Sequence, residues 1–343
     1  MRPLLDRRFV PGVRLAVILL ALTVPASAQG QSQHGPVPGP AGPSNKTWTP
    51  KLTPDGQPDI QGVWTNFDPT PFETPGEDDA TRLAALRRWF PPDDPVTTPP
   101  RPAAPRATRE VSGFADGPVG APRNARRRSM VIDPPSGRAP VRPEAAAKRD
   151  DHLTHLTDSW EHHTPWERCI TRGVPAGIFP PGYGAGYRIL QVTGYVVILY
   201  EMIHEARFIP VDGSPHVPSG IRLWNGDSRG RWEGNTLVVD ITNYNDKGSI
   251  ATNIATQGVR GIPQSEALHV VERFTLVDAE TINYEVTIED PPVYTAPWKV
   301  AMPMNRDASY RMFEYACHEG NYGLMNSLSA GRAEDRAKAA SKP

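Results

Sequence analysis

From Tyr187 onward the chain is a succession of short runs in which apolar and polar residues alternate with a period of two, the pattern of half-buried β-strands. Turn-forming sequences such as "VDGSP", "NGDSRG", "WEGN" and "NDKG" separate these runs. The predicted strands are residues 187–193, 195–209, 220–224, 236–243, 267–277, 281–289, 297–304 and 311–317. Short connections between successive strands are typical of antiparallel meanders. The sequence therefore predicts a mainly β fold, either an antiparallel barrel or a strongly curved sheet.

Two ionisable residues interrupt the apolar rows that we expect to face the interior. They are His204 and Glu272, each at an even position among apolar even-numbered neighbours, whereas the same period places Glu201, Glu205 and Arg207 on the opposite face. Burying an unpaired imidazole or carboxylate is costly. The simplest arrangement therefore pairs His204 with Glu272 as a catalytic acid and base facing a cavity. The alternatives are a hydrogen-bonded pair in the core or a bulge that turns either residue to solvent.

The first residues have the features of a secretory signal peptide. A basic start precedes an apolar run at 15–24 and a small-residue "ASA" site that ends at Ala28, and the run is too short for a permanent membrane span. Arg7 and Arg8 resemble a twin-arginine signal, but Asp6 stands where a small polar residue is usual, which favours the general secretory route. We therefore predict a periplasmic or secreted protein, cleaved near Ala28.

Charge argues against nucleic acid as a partner. Removal of residues 1–28 takes away four Arg and one Asp, so the formal net charge moves from −1 to −4, and no long basic tract remains. No later segment is apolar and long enough to cross a bilayer. A small molecule is the partner that this composition favours.

The predicted organisation is a single β-rich domain that follows a leader. It comprises a Gly/Pro/Ser-rich leader at 29–58, the domain at 59–330, and a polar tail at 331–343. Within the domain we expect a first strand in "PDIQGVWTNFD", an amphipathic helix at 77–90, a Pro-rich excursion at 91–128, and a second helix at 142–163 that begins with Pro inside a run of good helix formers.

The chain has two cysteines, Cys169 and Cys317. In an oxidising compartment an even number of cysteines indicates a disulfide first and a catalytic or metal-binding thiol second. A bridge would hold the Gly- and Pro-rich loop "WERCITRGVPAGIFPPGYGAGY" next to the C-terminal residues. That loop would then be placed to cover the barrel opening.

Aromatic and charged residues near strand ends are candidates for binding a ligand. The segment "LWNGDSRGRWEGNTLVVD" combines Trp with Arg and carboxylates, which suits a sugar or a polar aromatic compound through stacking and bidentate hydrogen bonds. The alternative is a structural lid with a Trp plug and an Arg–Asp pair. The predicted ligand-binding residues are Tyr200, Trp224, Asp227, Arg229, Tyr294, Trp298, Tyr315 and His318.

Metal and cofactor motifs are not evident. "MIHEARF" lacks the second His of a zinc protease motif, because Phe208 stands four residues after His204. The predicted helix carries His152, His155 and His162 on one face, which permits a metal site or, more simply, a polar surface. The sequence shows no nucleophile elbow, phosphate loop or dinucleotide fingerprint. We therefore predict neither a metal nor a cofactor.

Several longer phrases resemble a large group of exported bacterial proteins of similar length that are described only as hypothetical. These phrases include "SMVIDPPSGR", "WERCITRGVP", "GYVVILYEMIHEARFIPVDG" and "DSRGRWEGNTLVV", within residues 51–325. The resemblance implies no established activity. In addition, "DIQGVW" resembles the Gly-x-Trp first strand of lipocalin-like (calycin) barrels, which implies a closed cavity that holds a small ligand.

Two classes of function follow from these patterns. In the first, His204 and Glu272 act on a sugar-like or aromatic compound by cofactor-independent acid–base chemistry, as a lyase, isomerase or hydrolase. In the second, the barrel only binds a small ligand, with Trp224, Trp298 and Tyr200 as contacts and Arg229 for an anionic group. A third class is an interaction protein of the cell envelope.

Overall fold

Antiparallel strands dominate the part of the chain that the computed structural model describes, residues 48–68, 70–74, 76, 128–181, 184–250 and 261–341. The strands in these ranges are β1 Gly62–Thr65, β2 Val131–Asp133, β3 Gly186–Val192, β4 Tyr195–Tyr200, β5 Ala206–Pro210, β6 Asp227–Glu233, β7 Thr236–Thr242, β8 Ser249–Ile250, β9 Ile262–Pro263, β10 His269–Asp278, β11 Thr281–Glu289 and β12 Trp298–Arg306. The helices are α1 Pro143–Thr154 and α2 Tyr322–Ala340.

Nine of these strands form a nearly closed barrel. Their order is β5-β4-β3-β1-β12-β11-β10-β7-β6, β2 pairs in addition with β12, and β8 pairs separately with β9. All neighbours along this path are antiparallel, so the first strand and the last, β5 and β6, run in the same direction. These two strands lie side by side. The predicted mainly β, antiparallel, barrel-like fold is confirmed.

Side chains bridge the seam where β5 meets β6. Arg207 donates hydrogen bonds from Nε and Nη2 to the Ser228 hydroxyl, at 3.1 and 3.0 Å. Gly230 permits close approach of the strands, because a Cβ at this position would lie 2.9 Å from Cγ2 of Ile209. Parallel neighbours require a connection that returns along the barrel. Residues 211–226, here called the crossover, make this connection.

Residues 164–181, here called the plug, cover the barrel end at which β5 and β6 begin. Ile178 is 1% exposed. Its carbonyl accepts hydrogen bonds from Asn66 Nδ2 at 2.8 Å and from the Tyr187 hydroxyl at 3.2 Å. Asn66 directly follows β1 and Tyr187 lies at the start of β3, so the plug spans two strand ends. It closes one end of the core.

The disulfide predicted between Cys169 and Cys317 is confirmed, with Cα atoms 5.6 Å apart. It joins the plug to the segment that precedes α2. A bridge between residues 148 positions apart restricts the unfolded chain over a long loop. The plug is therefore tied covalently over the barrel end, where the sequence predicted a covering loop.

The predicted single strand at 195–209 is instead a hairpin. β4 and β5 pair with each other, with Leu199 opposite Ala206, and a 3₁₀ turn at Met202–His204 reverses the chain. Ile203 and His204 have φ values of 60° and 41°, a region that residues other than glycine rarely adopt. The turn contains no Gly or Pro, so the sequence pattern gave no signal for it.

Contacts with the C-terminal segment hold this strained turn. The Glu201 carboxylate accepts hydrogen bonds from the Tyr310 hydroxyl at 2.6 Å and from the Phe313 amide at 3.1 Å. A hydrogen bond of 3.0 Å links His204 Nδ1 to the carbonyl of Tyr315. Backbone strain persists where surrounding structure compensates for it. These contacts, made by residues more than one hundred positions away, supply the compensation.

Other predicted elements differ from the structure. Residues 220–224 form only an isolated bridge between Leu223 and Tyr244, and 311–317 are irregular. The helix predicted at 142–163 ends at Thr154, and α2 occupies most of the predicted polar tail. The predicted signal peptide, the helix at 77–90, most of the leader and nearly all of the Pro-rich excursion lie outside the described residues. Among those that are described, no helix combines the length and apolar character needed to cross a membrane.

Candidate functional site

Glu272 points into the barrel, but its partner there is Arg207. Glu272 is 0% exposed, and its Oε2 lies 2.6 Å from Nη2 of Arg207. The Tyr284 hydroxyl donates to Oε1 of Glu272 at 2.7 Å. Burial raises the pKa of the neighbouring Tyr200 to about 12. The ion pair is therefore enclosed by core residues on the inner surface of the barrel.

The hairpin explains why Arg207 occupies the place expected for His204. Cross-strand partners lie on the same face of a sheet, and Arg207 pairs with the inward-facing Ile198. Phe208 consequently points outward and is 63% exposed. His204 lies on the turn and is exposed. The inward position predicted for His204 is wrong, and it forms no acid–base pair with Glu272.

The predicted ligand-binding residues are distributed over several places. Trp298 and Tyr294 lie in the core, at 0 and 2% exposure, with ring centroids 5.3 Å apart. Tyr200 also faces the interior, whereas Tyr315 and His318 lie in the segment before α2. They do not converge on one opening. Asp227 and Arg229, in contrast, belong to a polar array on the outer face of the barrel.

This array, here called the His–Asp array, comprises His216, Asp227, Arg229, Asp240 and His269. Arg229 Nη1 donates to Asp227 Oδ1 at 2.8 Å. His216 lies between two carboxylates, with Nδ1 2.8 Å from Asp227 Oδ2 and Nε2 2.9 Å from Asp240 Oδ1. His269 Nε2 lies 2.9 Å from the other oxygen of Asp240. Four hydrogen bonds thus connect an arginine to a terminal histidine.

Strand periodicity and the crossover assemble the array. Ile241 and Val270 lie in the core, so the adjacent residues Asp240 and His269 project outward. Asp227 does the same, because its neighbour Ser228 pairs with the inward-facing Ile241. His216 comes from the crossover, whose Val217 amide also donates to Asp227 Oδ2 at 3.1 Å. The array exists because the crossover returns over the outer surface of these strands.

Accessibility differs along the array. The Asp227 side chain is 9% exposed and that of His269 is 39% exposed. Burial alone would raise the pKa of Asp240, but hydrogen bonds from His269 and His216 outweigh it and lower the pKa. Asp240 is therefore an ionised acceptor that orients the exposed His269 ring.

His269 leaves one ring nitrogen available. With Nε2 donating to Asp240, the neutral ring carries its lone pair on Nδ1. The nearest carboxylate to Nδ1 in the described part of the chain is Glu289, with Oε2 at 4.0 Å, beyond hydrogen-bonding distance. An exposed imidazole whose other nitrogen is held by a carboxylate is the arrangement of a general base.

A second polar cluster lies beside the plug. Trp224 and Trp166 line a small pocket together with Thr171, at the barrel end that the plug covers. Thr171 donates to Glu205 Oε2 at 2.7 Å, and Asn225 donates to Oε1 of the same carboxylate. Burial raises the pKa of Glu205. This pocket contains Trp224, the predicted stacking residue, but not the other predicted contacts.

The histidines proposed for a metal site do not share one helix. His152 lies in α1, whereas His162 belongs to the 3₁₀ turn Trp160–His162, and their ring centroids are 5.4 Å apart. His162 Nδ1 is 2.7 Å from the carbonyl of His155. Among the described residues, no group of three or more His, Cys, Asp or Glu side chains has the arrangement of a metal site.

Sequence patterns did not identify His216, Asp240 or His269. His216 lies in a loop without periodicity, and Asp240 and His269 occupy outward positions that look like ordinary solvated residues. Their one signal is polarity on the outer rows of two strands whose pairing was unknown. The array joins residues from the crossover and three strands, so only the sheet order brings them together.

Comparisons with known proteins gave no match to this chain. No family model matches it, and neither a curated protein nor a solved structure matches it.

Proposed function

We propose that the protein acts on a small polar compound by general acid–base chemistry, with His269 as the group that transfers the proton. The observation that carries this proposal is the asymmetry of the His269 ring, with Nε2 bonded to Asp240 and Nδ1 facing outward. Asp240 fixes the ring and stabilises the imidazolium that forms when Nδ1 takes a proton. The reaction class is that of a lyase, isomerase or hydrolase that needs no diffusible cofactor.

The rest of the array acts on Asp240. His216 bonds to its second oxygen, Asp227 bonds to the other nitrogen of His216, and Arg229 donates to Asp227. Asp240 consequently has both oxygens bonded and cannot rotate without breaking a hydrogen bond. These residues position the base, and within the array His269 is the residue that, in the described part of the chain, has a ring nitrogen without a hydrogen bond to present to a compound on the barrel surface.

Chemical labelling tests this assignment without knowledge of the substrate. Diethylpyrocarbonate reacts with an unprotonated imidazole nitrogen, so peptide mass spectrometry should find His269 modified rapidly at neutral pH and His216 protected. Exposed His204 is the control for accessibility. Protection of His269 together with rapid modification of His204 would remove His269 as the base.

Turnover provides the second test. Wild type and His269→Gln are compared on pooled nitrophenyl glycosides, nitrophenyl esters and aromatic hydroxy acids, with His204→Gln as the matched control. A general base contributes about 10²- to 10⁴-fold to rate, so His269→Gln should lose activity to that extent while His204→Gln keeps it. Equal activities of the two variants would contradict the proposal.

A second candidate function is binding without catalysis at the pocket beside the plug, whose cavity of about 10 Å³ holds at most one water molecule and must open before a ligand enters. Trp166 and Trp224 supply two aromatic faces, and Thr171 supplies a polar edge. Titration with nitrophenol or a monosaccharide should quench or shift the tryptophan fluorescence of wild type but not of Trp224→Leu. An identical response in both proteins would remove this pocket as the ligand site.

We propose further that the protein is exported. The disulfide is consistent with an oxidising compartment. The predicted cleavage site supports the same location, and the N-terminal sequence of the protein recovered from a native host should begin at Gln29. A recovered chain that retains residues 1–28 would contradict this part of the proposal.

A further inference from the structure

Both ring nitrogens of His216 face carboxylate oxygens at hydrogen-bonding distance. Nδ1 is 2.8 Å from Asp227 Oδ2, and Nε2 is 2.9 Å from Asp240 Oδ1. An ionised carboxylate only accepts hydrogen bonds, and a neutral imidazole has a single N–H to donate. With both carboxylates ionised, this geometry fits a ring that donates a hydrogen bond from each nitrogen.

The same residue lies at the centre of the contacts that dock the crossover onto the barrel. Next to it, the Val217 amide donates to Asp227 and the Val217 carbonyl accepts from Asn243 Nδ2 at 2.8 Å. On the other side, the Pro215 carbonyl accepts from Arg229 Nε at 2.8 Å. Among these ties, only those of His216 involve an imidazole, whose second N–H is present in one of its two protonation states and absent in the other.

We propose that His216 is a proton-operated latch, which docks the crossover and aligns Asp240 with His269 only while both of its ring nitrogens are protonated. Loss of one proton leaves a nitrogen lone pair opposite a carboxylate at less than 3 Å, which is repulsive. The crossover then loosens, and Asp240 loses one of its two donors. The effect on His269 rests on the function proposed above, whereas the docking of the crossover does not.

The charges around His216 set the direction of the effect. β6 contributes Asp227 and Arg229, β7 contributes Asp240, and β10 contributes His269. Two further carboxylates lie beyond these groups, Glu289 of β11 next to His269, and Asp212 of the crossover within range of Arg229. With His216 charged, the two bonded carboxylates are balanced by two cations. Without that charge one carboxylate has no counter-ion, so a rise in pH should open the latch.

Hydrogen exchange of peptides that cover residues 211–226 measures the latch directly, after correction for the intrinsic pH dependence of amide exchange. Between about pH 5.5 and about pH 9, across the range in which histidines titrate, protection of these peptides should fall about tenfold or more. Peptides from β11 should keep their protection. His216→Gln should show the low protection at every pH, and His204→Gln, altered at an exposed histidine, should reproduce the wild-type profile.

Nuclear magnetic resonance of ¹⁵N-labelled imidazoles in wild type supplies a test that needs no variant. At the lower pH both His216 nitrogens should carry the chemical shifts of protonated nitrogen, and these should change together with crossover protection. A docked crossover with a singly protonated His216 would overturn the proposal. So would protection that stays constant across the pH range, or His216→Gln with the wild-type profile.

Different experimental results would refute the latch and the proposed function. If His269 resists diethylpyrocarbonate but crossover protection follows pH, the latch stands and the general base is lost. If His269 is labelled and required for turnover while crossover protection is independent of pH, the base stands and the latch is lost.

Discussion

The barrel carries ionisable residues on both of its faces, and the two sets differ in what surrounds them. Inside, Arg207 and Glu272 form an ion pair at 2.6 Å, with side-chain exposures of 5 and 0%. Outside, the His–Asp array has similar distances, but His216 and His269 are 28 and 39% exposed. Hydrogen-bond length does not distinguish the inner set from the outer one. Access to solvent does.

Burial from solvent determines what the inner pair and the outer array can each do. A buried pair that loses one partner leaves the other charge in a medium of low polarity, so the pair resists change. The partly exposed array is accessible to water and to dissolved compounds. Its residues are held by neighbours but keep one ring nitrogen outward, at His269. The inner pair therefore supports the fold, and the outer array is the set for which we propose chemistry.

Breaking the inner pair should have the largest effect on stability. Glu272→Ala leaves Arg207 buried without its counter-ion, and we expect a loss of about 3–5 kcal/mol in the free energy of unfolding, measured with urea. The control is Glu289→Ala on the outer face, which should change stability by about 0.5 kcal/mol or less. Equal losses for the two variants would show that the interior is not sealed from solvent.

Removing the disulfide tests how the plug is held over the barrel end. The double variant Cys169→Ala/Cys317→Ala should lose about 2–4 kcal/mol, because the unfolded chain regains the freedom of a long loop. Hydrogen exchange should increase in the plug before it increases in β10. Wild type treated with a reducing agent is the matched control and should behave in the same way. A double variant as stable as oxidised wild type would contradict the stabilising role of the bridge.

Within the array, the enclosed histidine should matter more for stability than the terminal one. His216→Ala removes two charge-assisted hydrogen bonds beside the mostly buried Asp227, and we expect a loss of about 1–3 kcal/mol. His269→Ala removes one bond at a more exposed site and should lose about 1 kcal/mol or less. Urea unfolding of both variants at one pH measures the difference. The opposite order would contradict the assignment of His216 to docking and His269 to chemistry.

The smallest effect is a pH dependence at the barrel end. Burial raises the pKa of Glu205 from 4.5, so the folded state keeps this proton to a higher pH than the unfolded state does. The contribution of Glu205 to stability therefore declines as pH rises from 4.5 through the raised pKa. Glu205→Gln should flatten the dependence of melting temperature on pH in this range. Glu289→Gln should leave it unchanged, and a decline that persists in Glu205→Gln would exclude Glu205 as its source.

The strands most accurately predicted from sequence are those whose pattern is uninterrupted. Residues 281–289 were predicted as a strand and are one, and Glu272 was correctly placed on the inner face of its strand. Successive side chains of a strand point to opposite faces, so such a pattern is local and can be recognised without knowledge of the fold. The disulfide was likewise predictable, because the chain offers a single pairing of its cysteines.

The hairpin at 195–210 shows where local patterns mislead. Its turn uses positive φ values at Ile203 and His204, which the nearby sequence does not favour. The turn is held by Tyr310, Phe313 and Tyr315, far along the chain. Because the alternation of apolar and polar residues continues across the turn, the sequence does not reveal that the chain reverses there. Arg207 therefore lies on the inner face, where His204 was expected.

The sequence by itself determined the strand-rich class, the antiparallel pairing of its later strands, the inward position of Glu272 and the disulfide. Only the tertiary structure decided which charges meet, because Arg207 reaches Glu272 through the hairpin and His216 reaches Asp240 through the crossover. The physical reason is the distance along the chain over which each kind of interaction acts. Periodicity expresses the geometry of a few adjacent residues, whereas an ion pair depends on which strands become neighbours and on where the chain turns back.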